Sequence, residues 1–166
     1  MRVHNQSVSA RVTDDRAHAL RARYARRFGD PGFPLPVESI AEDLLGLDLQ
    51  RVPMVCSGML LPSERRILVN SDEAPVRQRF TIAHELGHWI CQCLEGSVEP
   101  VYCRAADVMS ETARLAEREA NVFAAELLMP EEQVRAADAA PERFGVSDIA
   151  YRWRRFSFGL GERPDA

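Results

Sequence analysis

The sequence predicts an α+β fold in a single domain, and three observations carry that prediction. Helix-periodic segments lie on both sides of one cluster of short strand-like runs. The 166 residues are 46% hydrophobic and 28% charged, enough for one modest core and too few for two full domains. No segment repeats, and no glycine-rich phosphate loop follows any strand.

The first helix is predicted over residues 13–28, with Thr13 as its cap, Asp14 and Asp15 in the first turn and Gly29 at its end. Its Arg16, Arg23, Arg26 and Arg27 read as a solvated face, with a docking surface for an acidic partner as the sharper alternative. Gly and Pro dominate 29–36, which makes it a linker. Ile40, Ala41, Leu44 and Leu45 then recur at helical spacing, so a second helix spans 37–45 and ends at Gly46. Strands are predicted over 47–52, 55–61 and 66–70, with Pro62-Ser63-Glu64 at the place of a hairpin turn. From Pro75 to residue 93 the pattern is helical again. A looser stretch with Gly96 and Pro100 separates it from a helix over 110–129, capped by Ser110 and stopped by Pro130. A last helix covers about 147–157. The segments group as an N-terminal helix and linker (1–35), a central domain (36–135) and a helical appendix (136–166).

With 21 basic and 25 acidic residues the formal charge is −4, which argues against a DNA coat or a polybasic membrane binder. Every basic residue is Arg, a pattern that genome composition explains, although Arg also pairs carboxylates more rigidly than Lys. The polar start has no signal-peptide pattern, and no stretch approaches the ~20 apolar residues that span a bilayer. Cys56, Cys91, Cys93 and Cys103 are too few and scattered for a disulfide framework, and Cys91 and Cys93 are too close in sequence for a usual zinc pair. The expected compartment is a reducing cytoplasm.

His84-Glu85-Leu86-Gly87-His88 matches the pattern H-E-x-x-H. Residues four apart on an α-helix are ~40° out of line and ~6 Å apart along the axis, so both imidazoles can close on one cation. Glu85, beside the first histidine, can reach a water molecule rather than the metal. Val76, Phe80, Ala83, Leu86 and Ile90 fall on an apolar stripe, whereas Arg77, Thr81, His84 and His88 fall on another side, as a cleft wall requires. Gly87 in mid-helix gives up ~1 kcal/mol relative to Ala, which points to close approach of another backbone.

A catalytic site with two histidines needs a third protein ligand and an open fourth position. The helix over 110–129 offers one. Its stripe runs through Ala113, Ala116, Ala120, Phe123, Ala124 and Leu127, placing Glu117 ~60° from the stripe centre and Glu119 ~100° away on the other side. Glu117 is the first choice, with Asn121 one turn behind it to bond a ligating imidazole; Glu119 is the second. Metal affinity order and ligand set favour zinc over manganese or iron.

Two stretches resemble the ImmA/IrrE family of zinc metallo-endopeptidases. One is Arg79-Phe80-Thr81-Ile82-Ala83-His84-Glu85-Leu86-Gly87-His88; the more specific other is Glu117-x-x-Ala120-Asn121-x-Phe123-Ala124-Ala125-x-Leu127-Leu128-Met129-Pro130. Ile67-Leu68-Val69-Asn70 is similar to the family's inner strand, and Phe144-Gly145-Val146-Ser147 onward to its helical tail. The likeness covers roughly 36–160. It implies a zincin-like fold, a small twisted sheet packed on the active-site helix with the Glu-bearing helix alongside. It further implies His84, His88 and Glu117 as zinc ligands, Glu85 as general base and a helix-turn-helix repressor as the protein that is cut or switched. The repressor is expected to be a separate polypeptide, since no separate N-terminal DNA-binding domain is read in this sequence; residues 1–30 carry no family motif.

Two other classes of function compete. One is a zinc-holding sensor that grips a regulator without cutting it. The other is direct nucleic-acid binding through the Arg and aromatic mixture of Tyr151–Phe158, which reads more simply as a terminal amphipathic helix. Tyr102 and Tyr151 are candidates for oxyanion support, although each reads first as a packed tyrosine.

Overall fold

A computed structural model describes residues 2–93, 110–136 and 139–165, with side chains described from residue 11 onward. Gly96, Pro100, Tyr102 and Cys103, for which the sequence raises expectations, lie outside the described residues. Helix α1 runs Arg2–Phe28, α2 is Val37–Ser39 widened into a π turn over Ile40–Leu44, and α3 is Pro75–His88 widened likewise over Trp89–Cys93. Helix α4 spans Glu111–Leu128, α5 Glu131–Val134, α6 Pro141–Phe144 and α7 Asp148–Ser157. Strands β1 (Asp48–Val52), β2 (Gly58–Leu61) and β3 (Arg66–Asn70) form a three-stranded sheet in the order β1-β3-β2. The predicted α+β class is the observed one.

Strand β3 is central because its Ile67 and Val69 are fully buried, whereas β1 has no buried residue and β2 buries alternate positions. It pairs antiparallel with β2 across the short 3₁₀ turn Pro62–Glu64, where Arg65 takes φ 51° to close the hairpin. It pairs parallel with β1, with Asp48 opposite Arg66. Helix α3 packs on β2 and β3 of the sheet and on α4, and α1 packs on α4.

Helix α1 does not begin at Thr13. That residue is 2% exposed and shares a buried stripe with Ala17, Leu20 and Tyr24, so it is an interior packing position and not a cap. The predicted strand 55–61 shortens to Gly58–Leu61, since Val55 stands fully in solvent. On α3 the core face is Ile82, Ala83 and Leu86, while Val76, expected on the stripe, is exposed. Ser110 caps α4 as expected, accepting from the Ala113 amide, and Ser147 caps α7 by accepting from Ala150.

The tail is joined to this core by chemistry as well as packing. Phe144, Val146 and Tyr151 belong to the same buried cluster as Ile82 and Leu127. Arg79 of α3 donates to the carbonyls of Leu35 (2.8 Å) and Gly145 (3.2 Å), tying the linker and the α6 terminus to α3. Among the described residues, no helix is long and apolar enough to cross a membrane.

Candidate metal centre

Helices α3 and α4 bring His84, Glu85, His88 and Glu117 into one cleft of about 230 Å³, whose wall also includes Ser57, Gly58 and Arg77. The helices meet at small residues: a Cβ on Gly87 would lie 2.9 Å from Ala120 Cα and 3.0 Å from its carbonyl oxygen. That approach is what the mid-helix glycine was expected to serve, and it sets the spacing between the histidines and the carboxylate across from them.

The Nε2 atoms of His84 and His88 lie 3.0 Å apart, and Glu117 reaches both, with Oε2 3.3 Å from His84 and Oε1 3.2 Å from His88. On their far sides the rings are held by amides. Asn121 Oδ1 is 3.1 Å from His84 Nδ1, and Gln92 Oε1 is 2.9 Å from His88 Nδ1. An amide oxygen only accepts, so each Nδ1 donates and each Nε2 turns its lone pair into the cleft. Two lone pairs and a carboxylate facing one another repel unless a cation or a proton lies among them. Two imidazole nitrogens and one carboxylate, on the wall of an open cleft, are the donor set of a catalytic zinc site. These three residues fit such an ion, their ligand atoms lying within 4.8 Å of one another.

Glu85 is 6% exposed, and its Oε2 has no hydrogen-bond partner among the described residues. Burial pushes its carboxyl above the ordinary range, and the charge of Glu117 adds to this, while both histidines oppose it. Where a proton and not a cation lies between Nε2 and the carboxylate, hydrogen bonds from His84 and His88 hold the Glu117 carboxyl far below the usual carboxylate range. For His88, burial pulls downward, but the bond to Glu117 and the charges of Glu85 and Glu117 raise it overall. On the β2 side, a side chain at Gly58 would collide with Thr81 Cγ2 and approach Glu85 Oε1, so the glycine keeps the cleft floor open.

Glu119, the second choice for a ligand, is not among the residues lining the cleft and accepts from Gln92 Nε2 at 3.2 Å. Gln92 therefore links Glu119 to His88, a role that nothing in its own identity announces; its only sequence signal is the position one turn after His88. Ser57 and Gly58 were likewise missed, because the cleft uses the mouth of a strand and not a motif. Tyr151 is packed, its hydroxyl donating to the Ala139 carbonyl at 2.8 Å, and it does not line the cleft.

A model of the peptidase family described as the IrrE N-terminal-like domain matches residues 33–154. The chain is 34% identical over 113 residues to the radiation response metalloprotease IrrE of Deinococcus radiodurans, covering 68% of this chain and 33% of that protein. It is 33% identical over 136 residues to the protein of the same name from Deinococcus deserti, covering 80% of this chain and 47% of that one. The chain thus spans between a third and a half of these relatives' length. A solved structure described as a Mycobacterium tuberculosis transcriptional regulator shares the fold, with a TM-score of 0.57 at 22% identity over 84% of this chain and 46% of that one.

Proposed function

The chain belongs to the ImmA/IrrE family, with the IrrE N-terminal-like peptidase domain in a zincin-like α+β fold, and from that membership we propose that it is a zinc-dependent endopeptidase. In this reading His84, His88 and Glu117 are the metal ligands and Glu85 is the general base. The observation that carries it is the convergence of two Nε2 atoms and one carboxylate beside a buried Glu85 with an unpartnered oxygen.

A zinc ion in such a site supplies Lewis acidity, lowering the pKa of water and polarising a peptide carbonyl. Glu85 Oε2 takes the proton of the attacking water as its oxygen bonds the carbonyl carbon. The same carboxyl then gives the proton to the amide nitrogen as the C–N bond breaks. Burial favours the protonated carboxyl, which suits a group that must hold a proton between the two transfers. Asn121 and Gln92 keep both rings in the tautomer that leaves Nε2 free to ligate.

For the substrate we propose a helix-turn-helix repressor in the cytoplasm, the class that the family resemblance implies, and for the setting a stress response, as the name of the Deinococcus relatives supports. The test is incubation of zinc-loaded protein with a helix-turn-helix repressor encoded beside it. Parent protein should cut the repressor, and Glu85→Gln of equal zinc content should not. Cleavage by the variant at the parent rate would remove Glu85 from its role. Zinc-dependent binding without cleavage by the parent would make the chain a partner module for the regulator instead.

A further inference from the structure

Among the described residues lining the metal cleft, Arg77 carries the one guanidinium; the acidic groups of that wall are Glu85 and Glu117. Its side chain is 60% exposed and its contacts are long, 3.4 Å to Ser57 Oγ and 3.7 Å to Glu73 Oε2. Nor does that contact satisfy Glu73, whose Oε1 accepts from Ser57 at 2.6 Å while its buried Oε2 accepts no hydrogen bond among the described residues. Arg79, two residues further along the same helix, is 18% exposed and commits its donors to the carbonyls of Leu35 and Gly145. Arg77 has no such commitment.

Its place in the helix fixes where the charge acts. Arg77 precedes His84 by seven residues. Two side chains so spaced lie ~20° apart around α3 and ~10.5 Å apart along it. Ser57, which meets the guanidinium, adjoins Gly58, where a Cβ would lie 3.2 Å from Glu85 Oε1. The guanidinium and the carboxyl of the proposed base thus flank the start of β2. An extended polypeptide advances ~3.3 Å per residue, so a chain running from the metal towards the start of α3 brings to Arg77 a side chain about two or three residues from its scissile bond.

We propose that Arg77 is a specificity-determining residue of the cleft, pairing with the carboxylate of an Asp or Glu side chain of the substrate polypeptide at that distance from the bond that is cut. The inference rests on the peptidase reading above and adds a charge preference to it. The pair with Glu73 engages Nε alone. The Nη groups, whose one bond is the long one to Ser57, remain able to grip a carboxylate through two parallel bonds. A Lys or Arg at the same place in the substrate meets like charge.

The test is calorimetric titration of zinc-loaded protein with hydroxamates, which anchor on the metal. Acetohydroxamate measures the anchor alone. Acetyl-Xaa-Xaa-Ala-hydroxamate and a succinyl hydroxamate extended by Ala-Xaa-Xaa-amide carry paired Glu, Gln or Lys residues on opposite sides of that anchor. Their chain ends are blocked, so a side chain is the one carboxylate they offer. On at least one side the Glu probe should bind about fivefold more tightly than the Gln probe at low salt, and the gain should shrink as salt rises. Arg77→Gln should equalise the Glu and Gln probes, and Arg77→Glu should turn the preference towards Lys; the side chain is exposed, so neither change disturbs the core. Equal binding of the Glu and Gln probes on both sides of the anchor overturns the proposal, as does a Glu preference that survives both substitutions. If acetohydroxamate itself fails to bind, the metal-centre reading fails and the charge preference falls with it.

Discussion

Two amides decide how the cleft histidines present themselves. Asn121 and Gln92 each offer an oxygen to an Nδ1, at 3.1 and 2.9 Å, and so keep Nδ1 as the donor and turn each Nε2 toward the cleft. Removing either lets a ring rotate or change tautomer, and losses of this kind weaken metal binding by roughly 10–100-fold. Asn121→Ala and Gln92→Ala should therefore fold normally and yield zinc to a chromophoric chelator at lower concentrations than the parent does. A variant that competes as well as the parent would show that its amide orients nothing. Glu85 is different, since it touches no proposed ligand atom directly: Glu85→Gln should keep its zinc while cleavage falls by about 10²–10⁴-fold, the usual worth of a positioned base. His84, Glu85 and His88 were legible in the sequence because helix geometry makes their spacing meaningful. Asn121 was legible too, one turn behind Glu117. Gln92 was not, because a glutamine one turn past a histidine is ordinary on any helix, and only Glu119 on the facing helix gives it a second partner.

At the scale of elements, the crossing of α3 and α4 rests on Gly87 against Ala120. Helix propensity alone would favour Ala at position 87 by ~1 kcal/mol. The added Cβ, however, would sit 2.9 Å from Ala120 Cα and 3.0 Å from its carbonyl oxygen, and backbone atoms cannot rotate away. Overpacking of this kind costs ~1–3 kcal/mol, so the steric effect wins. Gly87→Ala should lower the urea midpoint at unchanged m-value, and should weaken zinc binding as Glu117 is pushed from the histidines. A midpoint equal to or above the parent's would mean that the helices separate freely. That close approach could be read from a glycine inside a helical pattern. The start of α1 could not, because a threonine ahead of two aspartates resembles a cap, whereas Thr13 belongs to the buried stripe of Ala17, Leu20 and Tyr24. Val55 misled in the other direction: β-propensity extended the strand over a residue that stands fully in solvent. Helices α5 and α6 are a single turn each, too short for periodicity to declare them. The β2–β3 hairpin followed from its turn residues, but the parallel placement of β1 beside β3 had no local signal, since that pairing is long-range.

The proposed ligands come from separate elements, and the elements from one core: α3 carries the histidines, α4 carries Glu117, and α1 and the tail are packed onto both. An ion held by all three residues binds only when α3 and α4 are docked, so zinc must stabilise the whole fold. At a free concentration a hundredfold above Kd the gain is about 2.7 kcal/mol, which a thermal melt resolves readily. A second group able to hold a cation, His18, Glu126 and Glu132, lies between α1 and the α4–α5 region and complicates the reading of such a melt. Its charges are already engaged. Glu126 is 3% exposed and paired with Arg154 as well as His18, and Arg21 lies 3.6 Å from Glu132. A cation arriving there would displace or face two guanidinium groups, whereas the cleft offers it two imidazole nitrogens and a carboxylate that, among the described residues, has no guanidinium bonded to it. The zinc-dependent rise in melting temperature should therefore vanish in Glu117→Gln, persist in His18→Ala and be reversed by a chelator. Should Glu117→Gln retain the full rise while His18→Ala loses it, the stabilising ion sits between α1 and α4 and the cleft is not where the protein holds its metal.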